Sequence, residues 1–269
     1  MCRLYGFRAT EHTKVECPLV HAQNALMAQS RKDRSGDSHL HGWGVATYEN
    51  GLPRIERQAW AAYHGEHFRQ AAARAYARTV LAHVRAATVG PPALENTHPF
   101  SDGVWSFVHN GTIPGFPFIR QAMLAAMTER HRGAVRGETD SEHLFHFILS
   151  LYERQPERPL EDALRTAIRE VMAWSGAAAP SQPAGLNVIL TDGDRMVGTR
   201  CGRSLFYLER RGIQSCNVCG VAHIAHRSSR AYRSIEVASE PITPEPWLTV
   251  SERVLYSVMP DVTLRFEPL

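Results

Sequence analysis

The stretch VWSFVHNGTIPGFPFIRQAMLAAMTERH, residues 104–131, passes from a strand pattern to a helical one. Its first eight residues gather β-branched and aromatic side chains ahead of an Asn-Gly pair, which is typical of a strand that ends in a turn. From residue 116 onward, the apolar side chains recur at helical spacing. We therefore predict a strand over 104–111 and one helix over 116–131.

The rest of the chain repeats these patterns in blocks. Strand patterns also occur at residues 41–48, 78–88, 186–194, 195–200, 204–210 and 234–240. Helical patterns occur at residues 17–30, 65–76, 139–154 and 159–174. Because strands and helices do not alternate strictly, a doubly wound parallel sheet fits poorly. We expect an α+β protein with two mainly antiparallel sheets between helical layers, a four-layer αββα sandwich formed by a single domain over residues 2–269.

Composition excludes several classes of protein. The 30 Lys and Arg residues are scattered and balanced by 27 Asp and Glu, so a nucleic-acid partner is not expected. No segment approaches the roughly 20 apolar residues of a membrane span, and the N-terminus lacks the apolar core of a secretory signal. The cysteines are an odd, sparse set, which favours a reducing cytoplasm; they are Cys2, Cys17, Cys201, Cys216 and Cys219.

Cys2 is the first candidate for chemistry. Most chain termini are disordered, and a cysteine in second position usually has no role. Removal of the initiator methionine, however, would leave a thiol and a free α-amine on one residue. An α-amine has a pKa of about 7.7 to 8, so it can serve as the base for the thiol. We expect the mature protein to begin at Cys2.

Three further stretches contain residues that could bind and orient a substrate for such a thiol. Asn110 and Gly111 end an apolar strand, where they form either an oxyanion hole or a plain turn. Arg85 also ends a strand and either holds a carboxylate or pairs with a structural acid. Asp140, at a helix entrance, is either an N-cap or a ligand for an ammonium group. Taken functionally, these groups describe a site for glutamine or another γ-glutamyl amide.

A family resemblance is carried by six motifs in order: Cys2 at the terminus, HGWGVA, HVRAATVG, ENTHPF, VHNGTI and GETDSE. Together they resemble the class II glutamine amidotransferases of the N-terminal-nucleophile hydrolase superfamily. The likeness is nearest to the short stand-alone members, which are YafJ-like or similar to the γ-glutamyl amidohydrolase of the ergothioneine pathway. It implies an N-terminal-nucleophile fold over residues 2–269 and cleavage of the side-chain amide through a γ-glutamyl thioester on Cys2.

The resemblance also implies individual roles. Cys2 would be the nucleophile, Asn110 and Gly111 the oxyanion hole, Arg85 the ligand of the α-carboxylate and Asp140 the ligand of the α-ammonium, with Thr88 and His98 as weaker candidates around the carboxylate. His98 is equally well interpreted as a buried structural histidine, and Trp43 as a core residue. The sequence departs from the family at His41, where relatives commonly have Asp.

We expect no cofactor and no metal. Cys216, Cys219, His223 and His226 offer a C-x₂-C pattern with two histidines, but a strand pair explains the same residues more simply. His143 and His146 are interpreted as helix-surface or packing residues. Released ammonia would be lost, be incidental to γ-glutamyl cleavage, or be used by a separate ammonia-using or peptidase partner. The alternatives are a glutamine-binding or partner-dependent subunit of a larger enzyme, and a hydrolase of other acyl amides.

Overall fold

Two stacked antiparallel sheets with helices on their outer faces make up the protein, as seen in a computed structural model that describes residues 2–224 and 231–269. In chain order, the strands are β1 (Arg3–Lys14), β2 (Trp43–Glu49), β3 (Leu52–Gln58), β4 (Tyr76–Val84), β5 (Phe100–Asp102), β6 (Trp105–Thr112), β7 (Gly185–Thr191), β8 (Met196–Arg200), β9 (Phe206–Arg211), β10 (Arg233–Ala238), β11 (Leu248–Thr249), β12 (Val254–Val258) and β13 (Leu264–Pro268). The helices are α1 (Leu26–Arg31), α2 (His67–Arg74), α3 (Phe116–Ala126), α4 (Glu129–Ala134), α5 (Asp140–Arg154) and α6 (Leu160–Ala178).

The strand order places β1 inside its sheet. The first sheet runs β11-β9-β10-β1-β4-β2-β3, and the second runs β13-β12-β8-β7-β6-β5. Every strand pair among the described residues is antiparallel. Because β1 pairs with β10 on one side and β4 on the other, it has no free edge, and the residues at its start are fixed by both neighbours.

Three separate apolar layers hold the sandwich together. Leu81, Ile189 and Tyr256 belong to the layer between the two sheets, and all three are fully buried. On the outer face of the first sheet, Trp43 of β2 meets Phe68 of α2 edge to face, with ring centroids 5.2 Å apart. Helices α3, α5 and α6 cover the second sheet. This arrangement confirms the four-layer αββα sandwich and places Trp43 in the core.

Two helix predictions were wrong in their extent. Residues 17–30 form a π-helical turn at Cys17–His21 and the separate helix α1, because Ala22 and Ala25 are extended and Asn24 donates its side-chain N–H to the Pro241 carbonyl at 2.8 Å. Residues 116–131 divide into α3 and α4, because the Thr128 hydroxyl caps a new helix start.

Glycine is required at two places where backbones cross. A Cβ on Gly44 would overlap the carbonyl oxygen of His98, which brings the HGWG and NTHPF motifs together. A Cβ on Gly111 would overlap the carbonyl oxygen of Gly185 on the adjacent strand β7. The end of β6 can therefore lie against β7 only with glycine at position 111. No helix in the described ranges is both long and apolar enough to cross a bilayer.

Candidate active site

Cys2 lies at the start of β1 and is buried, with its Sγ 3.4 Å from the carbonyl oxygen of Ala86. Burial is the main effect on the thiol and raises its pKa, although Arg85 partly opposes the shift. A raised pKa keeps the sulfur protonated near neutral pH. The thiol therefore needs a base before it can act as a nucleophile.

A buried charge network fixes the residue next to the thiol. The Arg3 side chain donates to the Cys2 carbonyl at 2.9 Å, and it pairs with Asp33 at 2.6 Å and Glu240 at 3.0 Å. Asp33 also accepts from His39 Nε2 at 3.0 Å. Burial, reinforced by the nearby Arg3, lowers the pKa of His39 to about 4, so the imidazole is neutral at physiological pH. The network holds the peptide on which the thiol is carried.

Asn110 reaches the same region from the second sheet. It is buried near the end of β6, and its amide is bonded to the Ser239 hydroxyl at 3.0 Å. The same hydroxyl oxygen accepts from the backbone N–H of Leu4 at 3.0 Å. Asn110 is thereby connected to β1 two residues after Cys2.

The orientation of the Asn110 amide follows from its hydrogen bonds. With Nδ2 toward Ser239, the buried Oδ1 has no partner among the described residues, and the Ser239 proton has no acceptor there either. The Nδ2 amide carries two hydrogens and Ser239 accepts only one of them, so the second N–H of Asn110 is left to donate to another acceptor.

Arg85 and Asp140 supply opposite charges beside Cys2. The Arg85 guanidinium donates to the carbonyls of residues 89–91, which leaves two of its five N–H groups for another acceptor. Burial lowers the pKa of Arg85, and the charges of Cys2 and Asp140 oppose this shift, so the three groups interact electrostatically. Asp140 is the first residue of α5 and accepts from the backbone N–H groups of Ile113 at 2.8 Å and Ser141 at 2.9 Å.

The weaker candidates lie in different surroundings. Thr88 is exposed, and its hydroxyl is 3.0 Å from that of Thr112 at the end of β6. His98 is buried against His83, with ring centroids 4.1 Å apart, and neither of its ring nitrogens has a partner among the described residues. Burial holds the pKa of His98 well below its ordinary value, so the ring is neutral.

His41 stabilises the segment after Arg85. Its Nδ1 accepts from the backbone N–H of Ala87 at 2.9 Å, and its own backbone N–H donates to the Arg85 carbonyl at 3.0 Å. The Nδ1 atom of His41 thus provides the acceptor for the backbone N–H of Ala87.

Sequence reasoning missed the residues that support this site. Arg3, Asp33, Ser239 and Glu240 were not singled out, although Ser239 and Glu240 lie in the strand pattern at residues 234–240. A buried arginine paired with buried carboxylates would have indicated a functional site near the N-terminus. The sequence does not reveal this, because arginine, aspartate and glutamate are usually exposed.

Two groups of side chains have the composition of metal ligands. The ligand atoms of Cys17, Cys216, Cys219 and His223 lie within 4.8 Å of one another, as do those of Asp102, His131 and His146. His226, which the sequence offered as a fourth ligand, lies outside the described residues. A cavity of about 80 Å³ is lined by Cys17, Cys216 and His223, and Cys2 is not among its lining residues.

Comparisons with known proteins identify the family of this chain. The family model described as "Glutamine amidotransferases class-II" matches residues 1–257. The chain is 31% identical to the γ-glutamyl-hercynylcysteine sulfoxide hydrolase of Mycobacterium tuberculosis, over 78% of this chain and 81% of that protein. It is 26% identical to the probable glutamine amidotransferase DUG3 of Saccharomyces cerevisiae, over 98% of this chain and 83% of that protein.

A solved structure shows the same fold. It is that of a glutamine aminotransferase class-II domain protein from Silicibacter pomeroyi, and it matches with a TM-score of 0.67 at 19% identity. The match covers 100% of this chain and 99% of that one.

Proposed function

The chain belongs to the class II glutamine amidotransferase family, and on that premise we propose that it cleaves the side-chain amide of glutamine or a γ-glutamyl compound with Cys2 as the nucleophile. We assign the activity to one domain spanning residues 2–269. The supporting observation is that the Cys2 thiol lies 3.4 Å from the carbonyl oxygen of Ala86, the residue after Arg85, where the charges of Arg85 and Asp140 both act on it. Two opposite charges next to one thiol fit the α-carboxylate and α-ammonium of an amino acid whose side chain reaches the sulfur.

The reaction begins at the N-terminus. With Met1 removed, the α-amine of Cys2 takes the thiol proton while the sulfur attacks the amide carbon. Because burial raises the pKa of this thiol, proton removal has to accompany the attack. The carbonyl oxygen becomes an oxyanion, the leaving amine takes the proton, and a γ-glutamyl thioester remains. Water then adds to the thioester and releases glutamate and the free thiol.

We assign the oxyanion hole to Asn110 and Gly111. The Asn110 amide donates one N–H to Ser239 and has a second N–H without an acceptor among the described residues, and Gly111 follows it on the same strand. Fixed donors of this kind stabilise the charge that develops only during the reaction. Thr88 and His98 are assigned to the surroundings of the substrate carboxylate.

Arg85 and Asp140 would bind only the glutamyl half of the substrate, so these two residues do not restrict which amine is the leaving group. The Mycobacterium tuberculosis relative is named for a γ-glutamyl compound, and we extend to this chain only that substrate class. No disulfide joins any of the five cysteines, all of them within the described ranges, and this fits a reducing cytoplasm. Ammonia, where it is the leaving group, would be available to a separate partner protein. A pure glutamine sensor is disfavoured, because the chain has Cys2, the proposed nucleophile, and sensing alone needs no thiol.

A substrate screen with two readouts tests the proposal. Glutamine and a set of γ-glutamyl amides and peptides are incubated with the protein, and glutamate and the leaving amine are measured separately. We expect equal amounts of the two products, none with the Cys2→Ala variant, and normal activity with Cys201→Ser as the matched cysteine control. Turnover by Cys2→Ala, or cleavage of acyl amides in preference to every γ-glutamyl compound, would refute the assignment.

A further inference from the structure

The strongest unexplained feature is the group formed by Cys17, Cys216, Cys219 and His223, here called the Cys₃His cluster. All four ligand atoms lie within 4.8 Å of one another, and Cys219 Sγ is 3.1 Å from His223 Nε2. Bonds of about 2.3 Å to sulfur and about 2.0 Å to nitrogen place the corners of a tetrahedral zinc site roughly 3.5 to 3.8 Å apart. The longest separations would have to shorten by about 1 Å, and the 3.1 Å between Cys219 Sγ and His223 Nε2 would have to lengthen by about 0.4 Å, to reach that size.

Backbone hydrogen bonds form a tight turn that holds the two cysteines of the C-x₂-C pair, Cys216 and Cys219. The N–H of Val218 donates to Cys216 Sγ at 3.3 Å, and the N–H of Gly220 donates to the Cys216 carbonyl at 2.9 Å. The first bond is of the kind that stabilises a thiolate. Gly220 has a φ of 76°, the left-handed conformation that lets the chain turn tightly after Cys219.

The other two ligands are anchored on β1. Cys17 is buried in the turn that follows β1, and the carbonyl of His223 accepts from the N–H of Lys14 at 2.9 Å. A β-bridge between Thr13 and Ile224 continues this contact. Backbone pairing of residues 13–14 with residues 223–224 thus brings two distant parts of the chain together, independently of any bond between the cluster side chains.

We propose that the Cys₃His cluster binds one zinc ion, with Cys17 as the ligand that completes the set. Three thiolates and one imidazole are a ligand set typical of structural zinc, and four protein ligands leave no open position for a substrate. Cys2 and Cys17 lie at opposite ends of β1, whose 12 residues span about 40 Å of extended chain. The ion therefore joins the segment 216–223 to β1 and takes no part in the reaction at Cys2.

The second group of ligand-type side chains is not a comparable site. Arg130 pairs with Asp102 at 2.9 Å and lies 2.9 Å from His131 Nε2. A guanidinium already supplies the positive charge at that place. The Cys₃His cluster has no arginine or lysine bonded to its sulfur atoms among the described residues.

Metal analysis of the full-length protein tests the proposal. The chain is produced with zinc in the medium, purified under reducing conditions and measured for metal by mass spectrometry. We expect one zinc per chain, lost in the Cys17→Ser and Cys219→Ser variants and retained in Cys201→Ser, which removes a buried cysteine outside the cluster. Cobalt replacement should give the strong visible absorption of a tetrahedral thiolate complex.

A histidine pair distinguishes this ligand set from the one that the sequence suggests. His223→Ala should lose the metal, whereas His226→Ala should retain it, because Cys17 already fills the fourth position. Retention by Cys17→Ser with loss by His226→Ala would overturn the assignment of Cys17. The whole proposal fails if the reduced wild-type protein takes up no zinc, or if peptide mapping finds a native disulfide among Cys17, Cys216 and Cys219.

Discussion

The substitution Asp140→Asn separates the two tasks of one buried carboxylate. Asp140 accepts from the Ile113 and Ser141 N–H groups and, as proposed, also receives the substrate ammonium. An amide keeps one acceptor oxygen and the shape of the side chain, so part of the anchor at Ile113 is retained while the charge is lost. Truncation of Arg85 is less clean, because it also releases the three carbonyls of residues 89–91.

The size of the effect follows from the burial of the carboxylate, which is 3% exposed. Removing one partner of a buried, hydrogen-bonded charge pair costs about 2 to 5 kcal/mol. At about 1.36 kcal/mol for each factor of ten, kcat/KM should fall by about 30-fold to 5,000-fold, mainly through KM. A substrate analogue without the α-amine should lose about as much on the wild-type protein, and little more on the variant.

The assay is a comparison of kcat and KM for glutamine and its des-amino analogue on both proteins. Glu142→Gln is a matched control, because Glu142 lies two residues after Asp140 in α5 and is also a buried carboxylate that accepts from backbone N–H groups, those of residues 136 and 137. That control should keep the full preference for the α-amine. An Asp140→Asn variant that prefers glutamine over the analogue as strongly as the wild type would refute the ammonium assignment.

The remaining predictions concern the nucleophile, the oxyanion hole and acid stability. Intact mass of the active protein should show Cys2 as the first residue, and a glutamine-like diazoketone should label that thiol alone; full activity in chains that retain Met1 would contradict this. Asn110→Ala should lower kcat by about 10² to 10³ with a modest change in KM, measured by steady-state kinetics. Gly111→Ala should prevent correct packing of β6 on β7, seen as loss of cooperative thermal unfolding, and a well-folded variant would be evidence against that crossing. The pKa of His39 is about 4 in the folded protein and about 6.5 in the unfolded chain, so its contribution to the free energy of unfolding is fully present above pH 6.5. As the pH falls toward 4, that contribution is lost, by up to roughly 3 kcal/mol. Urea midpoints measured against pH should show this slope, and His39→Gln should flatten it.

The sequence predicted most of the fold because most strands carry a clear local pattern. The strands predicted over 41–48, 104–111 and 234–240 are all present. The chief omission is β1, which is buried on both faces along its first half and includes the charged Arg3 and Arg8. A central strand of this kind shows no alternation of apolar and polar residues, so its periodicity gives no signal.

The site was predictable where a motif carries its own chemistry. Cys2, Arg85 and Asp140 were each recognisable at the end or the start of an element, and in the structure the charges of Arg85 and Asp140 both act on the Cys2 thiol. The supporting contacts were not, because Ser239 reaches Asn110 only through the packing of two sheets. Cys17 was hidden for the same reason, since its cluster partners come from the far end of the chain.

The pairing of β1 with β10 has a consequence for biosynthesis. The first strand to leave the ribosome lies beside one of the last, and Arg3 is held by Glu240. At about 5 to 20 residues per second, the terminus waits roughly 12 to 50 s before its partner strand exists. During that interval it is an open chain end that an aminopeptidase can reach, whereas afterwards it is enclosed. On the proposed function, we therefore expect removal of the first methionine to be cotranslational, and we expect a molecule that keeps it to fold with a blocked amine and to remain inactive.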